Sequence, residues 1–535
     1  MQTSLSVPET FSESERRALE PYFTNVDRHV FALTNLPETV KGALFARYSR
    51  SAKSLRRLFL DEFANDLGEP PRPAAAAGEG RAERLYSKVF NEYGDDSVAQ
   101  LGGAHLACEY VSNVLTKVLE WGRLMAYLEQ STRYVPYTDR LHGRWRFHVP
   151  AELQGSLREQ YVAVMDRTFE TYARLIEPMQ RYFAQRFPRS PQDPEGVHRA
   201  ATRAKALDTL RGLLPAATQS NVGIYGTGQG FEGLLLRMRA HPLEEVRQCA
   251  SEMLAELRKV IPAFLVRVDQ ADRGDQWSAY LSATREQTAA VASCLLDEVA
   301  AEARDEVTLT DFDRDGEAKV VAAALYARSA LPDDQLMAVA TRMSAEDRGA
   351  VLQAYIGDRR NRRHKPGRAF ERTGYRFDVL TDYGAFRDLQ RHRLLTIEWQ
   401  RLSTRHGYSE PDAIRDAGVL DDWMRVMDES ASLFERISAD GLGDVAQYAV
   451  SMAYRIRFYV ELNAREAMHM IELRTAPQGH PAYRRVCQQM HRLIADRAGH
   501  TAIAASMIFA DHSEVELERL KAERALDQKR KKASG

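Results

Sequence analysis

Leu325–Ala330, LYARSA, restates Leu44–Ala52, LFARYSRSA, and each copy follows aspartates spaced among apolar residues, Asn25-Val26-Asp27 in one case and Asp311-Phe312-Asp313 in the other. Such self-similarity marks a duplicated unit. The polar run TDFDRDGE, Thr310–Glu317, separates two helical patterns and places the boundary near residue 308, so the expected organisation is two tandem repeats, 1–308 and 309–535. A chain of 535 residues has room for them at about 150 residues or more per domain. Helical periodicity dominates, for example over Val162–Leu175 and Glu244–Leu265, whereas strands are few and short, which makes the class helix-rich α+β. Gly68–Gly80, GEPPRPAAAAGEG, and Pro188–Gly196, PRSPQDPEG, are too rich in proline and glycine for regular structure and read as loops.

Composition narrows the function classes. The 74 basic and 75 acidic side chains nearly cancel, so global charge does not hold this chain on nucleic acid or an anionic membrane, and any anion must be met locally. Twelve of the 74 basic residues are lysines; the rest are arginines, whose planar fork suits phosphate and carboxylate. Cys108, Cys249, Cys294 and Cys487 lack the close pairing of zinc or redox sites and are read as reduced core thiols. The first twenty residues lack a basic start and an apolar run, and no stretch nears the roughly 18 apolar residues of a bilayer span, so a cytoplasmic protein without a membrane partner is expected.

Several local motifs resolve into bland readings. Asp311, Asp313, Asp315 and Gly316 open like a calcium loop, but the twelfth position is Ala322, and a turn is expected. Gly228, Gly230 and Gly233 match GxGxxG, but the strand expected before them is only Val222–Tyr225 and Pro242 follows soon after, so the βαβ frame is missing and a crowded backbone contact is expected in place of a dinucleotide fold. The tail Lys529-Arg530-Lys531-Lys532 reads as a solvated end or an RNA contact.

Three segments carry more. In Tyr383–Arg405, YGAFRDLQRHRLLTIEWQRLSTR, the adjacent donors Arg391, His392 and Arg393 follow a strand expected at Tyr375–Leu380; on a helix they would fan over roughly 200°, so they either bridge several anionic groups or partly face water. In Leu124–Tyr137, LMAYLEQSTRYVPY, an apolar helical run is expected to end in Glu129, Ser131 and Arg133, an acceptor, a hydroxyl and a guanidinium suited to a sugar beside a phosphate, or to a simple cap and turn. In Asn463–Arg474, NAREAMHMIELR, helical spacing sets Asn463, Ala467, Met470 and Arg474 on one face and Arg465, His469 and Glu472 on another, either a pocket border or an ordinary surface helix. His469 and His480 have no recognisable metal-binding partners, and no metal site is assigned.

Together these segments resemble the flavin-dependent thymidylate synthases. The second repeat carries the Arg-His-Arg triplet at Arg391, His392 and Arg393, Glu371 before an aromatic strand, the NAR…LR helix at Asn463, Arg465 and Arg474, and the closing QGHPAYRR. The first carries Glu129-Gln130-Ser131-Thr132-Arg133-Tyr134, with Arg211 before Leu213-Leu214-Pro215. Each departs where the other is intact: Trp121-Gly122-Arg123 stands for the triplet, Thr227-Gly228-Gln229 for NAR, Arg401 for the glutamate before Ser403–Arg405, and Asp388 where the family often has glutamine.

The resemblance implies two copies of a small mixed or antiparallel sheet flanked by helices, and a composite site, one per chain or one per pair of chains in a homodimer that mimics the family's tetramer. It also implies reductive methylation of dUMP, or a related pyrimidine nucleotide, to dTMP, with FAD as cofactor and NADPH and methylenetetrahydrofolate as co-substrates. No cysteine lies beside the motifs, so the ring would be activated by polarisation, with Arg474 as the catalytic donor. Glu129 would hold the ribose, Ser131, Arg133 and Arg211 the phosphate, and Arg391, His392, Arg393, Glu371, Asn463 and Arg465 the flavin. The erosion of each repeat leaves room for a flavin- or nucleotide-binding protein without turnover, and the arginine surplus for an RNA-associated one.

Overall fold

Along Arg455–Asn463 every second side chain, Ile456, Phe458, Val460 and Leu462, is buried, the period of a strand with one face on a core. In the computed structural model, which describes residues 9–64, 100 and 102–534, this strand belongs to one of two four-stranded sheets. The first contains β1 (Val30–Ala32), β2 (Gly103–Ser112), β3 (Met125–Glu129) and β4 (Gln219–Thr227) in the order β1-β2-β4-β3. The second contains β5 (Val307–Phe312), β6 (Gly374–Asp382), β7 (Thr396–Trp399) and β8 (Arg455–Asn463) in the order β5-β6-β8-β7. Every pairing is antiparallel, so the expected helix-rich α+β class with two tandem sheet-and-helix copies is what the chain forms.

The duplication extends to the junctions. In each copy the second strand runs into a short helix whose N-cap side chain accepts from the backbone three residues on: Ser112 for Asn113–Leu119 and Asp382 for Tyr383–Leu389. The fourth strand likewise runs into a helix, Gly228–Arg239 capped by Thr227 and Ala464–Arg474 capped by Asn463. The repeated LFAR and LYAR sequences both lie near the end of the helix that follows the first strand, Glu38–Tyr48 and Gly316–Tyr326.

The chain divides into two compact units. One comprises Met1–Ala173, Leu213–Ala301 and Arg425–Ser451; the other comprises Arg174–Gly212, Glu302–Met424 and Met452–Gly535. The first unit carries β1–β4 and the second β5–β8.

Three readings are corrected. Leu124–Tyr137 does not open as a helix, because Met125–Glu129 pairs with β4; buried Met125 and Glu129 are four residues apart, a spacing that both periods allow, and strand pairing decides between them. The strand expected at Val222–Tyr225 spans Gln219–Thr227, its start hidden in the sequence because Gln219, Ser220 and Asn221 are polar yet buried at the centre of the sheet. Cys294 is exposed on the helix Gly274–Leu296, whereas the other three thiols are buried. Gly228 does sit in a crowded contact, since a Cβ there would meet Phe264 Cβ at 2.5 Å. Asp313 and Asp315 lie in the turn between β5 and the next helix, where Asp313 pairs with Lys319 at 2.6 Å. Pro188–Pro194 is irregular, and the next residues begin the helix Glu195–Leu210. The Gly68–Gly80 segment lies outside the described residues, and the basic tail falls within the helix Leu520–Ser534.

In the second unit the Ala464–Arg474 helix is anchored by a buried ion pair. Arg359 meets Glu472 with two hydrogen bonds of 2.6 Å each, and also donates to the Ser506 carbonyl at 2.8 Å. Replacing Glu472 by alanine leaves a buried guanidinium without its counter-charge and should cost about 3–5 kcal/mol in urea-induced unfolding. A cost below about 1 kcal/mol would show that solvent reaches this pair.

Candidate active site

The site grows from the helix Ala464–Arg474. Asn463 ends β8 and accepts from the Glu466 amide at 2.9 Å, which starts the helix and turns Glu466 inward. Glu466 is buried, and its carboxylate accepts from His392 Nδ1 at 3.0 Å and faces His469 Nδ1 at 3.2 Å. One further turn and a half along, Arg474 Nε donates to His392 Nε2 at 3.0 Å, its Nη1 lies 3.7 Å from Asp388 Oδ1, and its guanidinium stands over the Tyr483 ring at 5.4 Å.

Asp388 lies in the last turn of the short helix Tyr383–Leu389 after β6 and gathers a second cation. Arg211 Nη1 donates to Asp388 Oδ2 at 3.4 Å, while Arg211 Nη2 is buried without a hydrogen-bond partner among the described residues. Sequence order puts Arg211 in the first repeat; the fold places it in the second unit, with Asp388 and Arg474.

The triplet resolves its own geometric conflict. It lies in a turn, where His392 is buried and Arg391 and Arg393 are exposed on either side of it. Burial pushes His392 down to about 4, with the hydrogen bond to Glu466 opposing and the charge of Arg474 adding to the effect, so the ring is neutral at pH 7. For Glu466, burial acts upward but the hydrogen bonds from the two histidines outweigh it and keep the carboxylate ionised. Arg465 donates to Glu371 at 3.3 Å and to the Pro366 carbonyl at 3.0 Å, so these two residues hold each other. The Arg465–His469–Glu472 surface face is overturned, since Glu472 points to Arg359 and His469 to Glu466.

In the first unit, Glu129 is buried at the end of β3 and pairs with Lys117 at 3.3 Å; Lys117 also binds Glu120 at 2.6 Å. Ser131 and Arg133 are half-buried in the following turn, where Ser131 Oγ accepts from the Arg133 amide at 3.2 Å. The repeated sequence shapes this turn: the Ser131 amide donates to the Ser49 carbonyl at 3.0 Å, and Arg50 lies over the Tyr134 ring at 5.5 Å. Of the expected site residues, Glu129, Ser131 and Arg133 thus belong to the first unit, and Arg211, Glu371, Arg391, His392, Arg393, Asn463, Arg465 and Arg474 to the second.

The family described as "Thymidylate synthase complementing protein" matches residues 43–263 and again 308–498. The chain belongs to this family, as a tandem long form. A "UPF0159 protein" of Chlamydia muridarum is 37% identical over 97% of this chain and 99% of its own length. A "UPF0159 protein Ta1429" of Thermoplasma acidophilum is 30% identical over 90% and 97%, respectively. A "Flavin-dependent thymidylate synthase" of Clostridium tetani is 24% identical over 38% of this chain and 73% of its own. A solved UMP/dUMP methylase from Streptomyces cacaoi, at 19% identity, covers 38% of this chain and 97% of its own with a TM-score of 0.29.

The family implies a flavin, and the donors present fit one: exposed Arg391 and Arg393 offer separated cations to a diphosphate, and buried Arg211 Nη2 keeps a hydrogen-bond donor in reserve for an anion. Sequence reasoning missed Glu466 and left His469 without a partner. Their three-residue spacing on a helix was the available signal. His392, Glu466 and His469 place possible ligand atoms within 4.8 Å of one another. A cation on His392 Nδ1 would, however, leave the ring proton on Nε2, facing the Arg474 N–H at 3.0 Å.

His392 also predicts a pH dependence. The unfolded chain protonates it near the ordinary 6.5 and the folded chain only near 4, so between these values the unfolded state binds the extra proton. Its contribution to stability is full above about 6.5 and declines as pH falls toward 4. In urea titrations His392→Gln should flatten the stability-against-pH slope in that window; an unchanged slope would contradict the neutral, buried ring.

Proposed function

We propose that this protein is a flavin-dependent thymidylate synthase that methylates carbon five of dUMP to give dTMP, with FAD as cofactor and methylenetetrahydrofolate and NADPH as co-substrates. The observation that carries the reading is the convergence of Arg211 and Arg474 on the Asp388 carboxylate, an anion-sized position flanked by two guanidiniums in a chain of this family. Arg211, with Ser131 and Arg133, would take the nucleotide phosphate and Glu129 the ribose hydroxyl. Arg474 would donate to the uracil carbonyl and stabilise charge developing on the ring, an interaction whose loss typically costs about 3–4 kcal/mol of barrier. Arg391, Arg393, Glu371, Asn463 and Arg465 would hold the flavin, which when bound supplies hydride for the reduction, whereas His392, expected with them, has both ring nitrogens engaged by Glu466 and Arg474.

The two repeats contribute different parts of one composite site, since the nucleotide-binding turn survives in the first and the triplet and helix arginine in the second. The site would be completed within one chain or between the two chains of a homodimer. Asp388 supports a second reading, a nucleotide- or flavin-binding protein without turnover, because its carboxylate competes for the two arginines that substrate would need.

The purified chain should show a flavin absorption band and should rescue a thymidine-requiring strain; a band without rescue would favour the second reading, and no band would refute both. Arg474→Ala should retain the band and lose tritium release from [5-³H]dUMP by about 100-fold or more. Release at the wild-type rate would remove Arg474 from the chemistry. Ser131→Ala and Arg391→Ala chains, each impaired, should recover part of the activity when mixed if the site is shared between chains, and none if it is completed within one chain.

A further inference from the structure

Arginine only donates hydrogen bonds. Arg474 Nε at 3.0 Å from His392 Nε2 therefore requires a lone pair on that nitrogen, and the single proton of the neutral ring must sit on Nδ1. From there it donates to Glu466 Oε1 at 3.0 Å. One tautomer satisfies both contacts, and the partner of one ring nitrogen sets the state of the other. His392 and Glu466 are each about 5% exposed or less, so bulk water does not readily replace either partner.

We propose that Glu466 fixes the tautomer of His392, and that His392 in turn holds the guanidinium of Arg474 by its Nε edge, leaving Nη1 and Nη2 for the substrate; both are positioning residues, and the inference rests on the role given to Arg474 above. Without the carboxylate, the ring proton can move to Nε2. Two N–H groups would then face each other at 3.0 Å, and the guanidinium would swing away. His469 Nδ1, 3.2 Å from Glu466 Oε2, and Asp388 Oδ1, 3.7 Å from Arg474 Nη1, are the other charged or titratable groups that steady the two ends of the chain. The same geometry turns the triplet histidine away from the exposed Arg391 and Arg393, so one member of a cationic triplet serves as a neutral acceptor.

The full-length chain, labelled with ¹⁵N-histidine, tests this by long-range proton–nitrogen correlation, with His392→Gln identifying the signal. Wild type should show His392 protonated on Nδ1 alone, and Glu466→Ala a mixed or Nε2-protonated ring. Tritium release should fall about 10- to 100-fold in kcat for Glu466→Ala, with little change in KM for dUMP, as expected for a misplaced catalytic group. Glu466→Gln, which keeps an acceptor oxygen and preserves the fold if alanine does not, should keep the tautomer and most of the rate. An Nε2-protonated ring in wild type, or an Nδ1-protonated ring that survives Glu466→Ala, overturns the proposal. Added zinc that shifts the His392 and His469 signals together, with loss of the Nδ1 proton, would also overturn it in favour of a metal site. If wild type releases no tritium, the functional reading fails, and the tautomer still decides whether the chain of contacts exists.

Discussion

A buried carboxylate has to be met by donors, and on the helix Ala464–Arg474 that requirement is met twice, in two directions. Glu466 takes His392 from the turn after the β6 helix, and Glu472 takes Arg359 and the Phe509 amide. Six residues apart on one helix, the two acids fix its rotation as well as its position. Arg474 is then left with one course: its Nε is committed to His392 and its terminal nitrogens face Asp388 and Tyr483. The placement of this guanidinium is a consequence of where two acids had to be neutralised.

The two repeats keep one scaffold while their motif residues differ. Both sheets keep one strand order, both second strands lead into a short capped helix, and both fourth strands lead into a long one. The capping role at the last junction is conserved in chemistry, Thr227 in one copy and Asn463 in the other, although the arginine that follows Asn463 by two residues is Gln229 in the first copy. Trp121 stands where the second repeat has Arg391, and Lys117, Glu120 and Glu129 form a buried charged cluster in the first unit. Folding constraints act on caps and core positions, and these are what both copies keep.

Asp388 is the residue at which binding and structure compete. Its carboxylate draws Arg211 and Arg474 together, and the nucleotide proposed to bind there would have to displace part of that pairing. A glutamine there would ask less of the ligand, since it offers no charge. The buried Nη2 of Arg211, without a partner among the described residues, shows that the acid does not use up the donors it attracts.

The amino-acid sequence by itself determined the duplication, the helix-rich class and the helix that follows Asn463, because these are written in local periodicity and short motifs. It misread Leu124–Tyr137, where a strand and a helix share the same four-residue spacing of buried positions and only pairing with β4 separates them. It also divided Arg211 from Asp388 and Arg474 by repeat, since chain order says nothing of which compact unit a connecting segment joins. The partnership of Glu466 with His392, 74 positions apart, was likewise invisible. Burial and counter-charge over such distances are properties of the packed fold, and only the tertiary structure decided that a histidine in a cationic triplet would be a neutral acceptor.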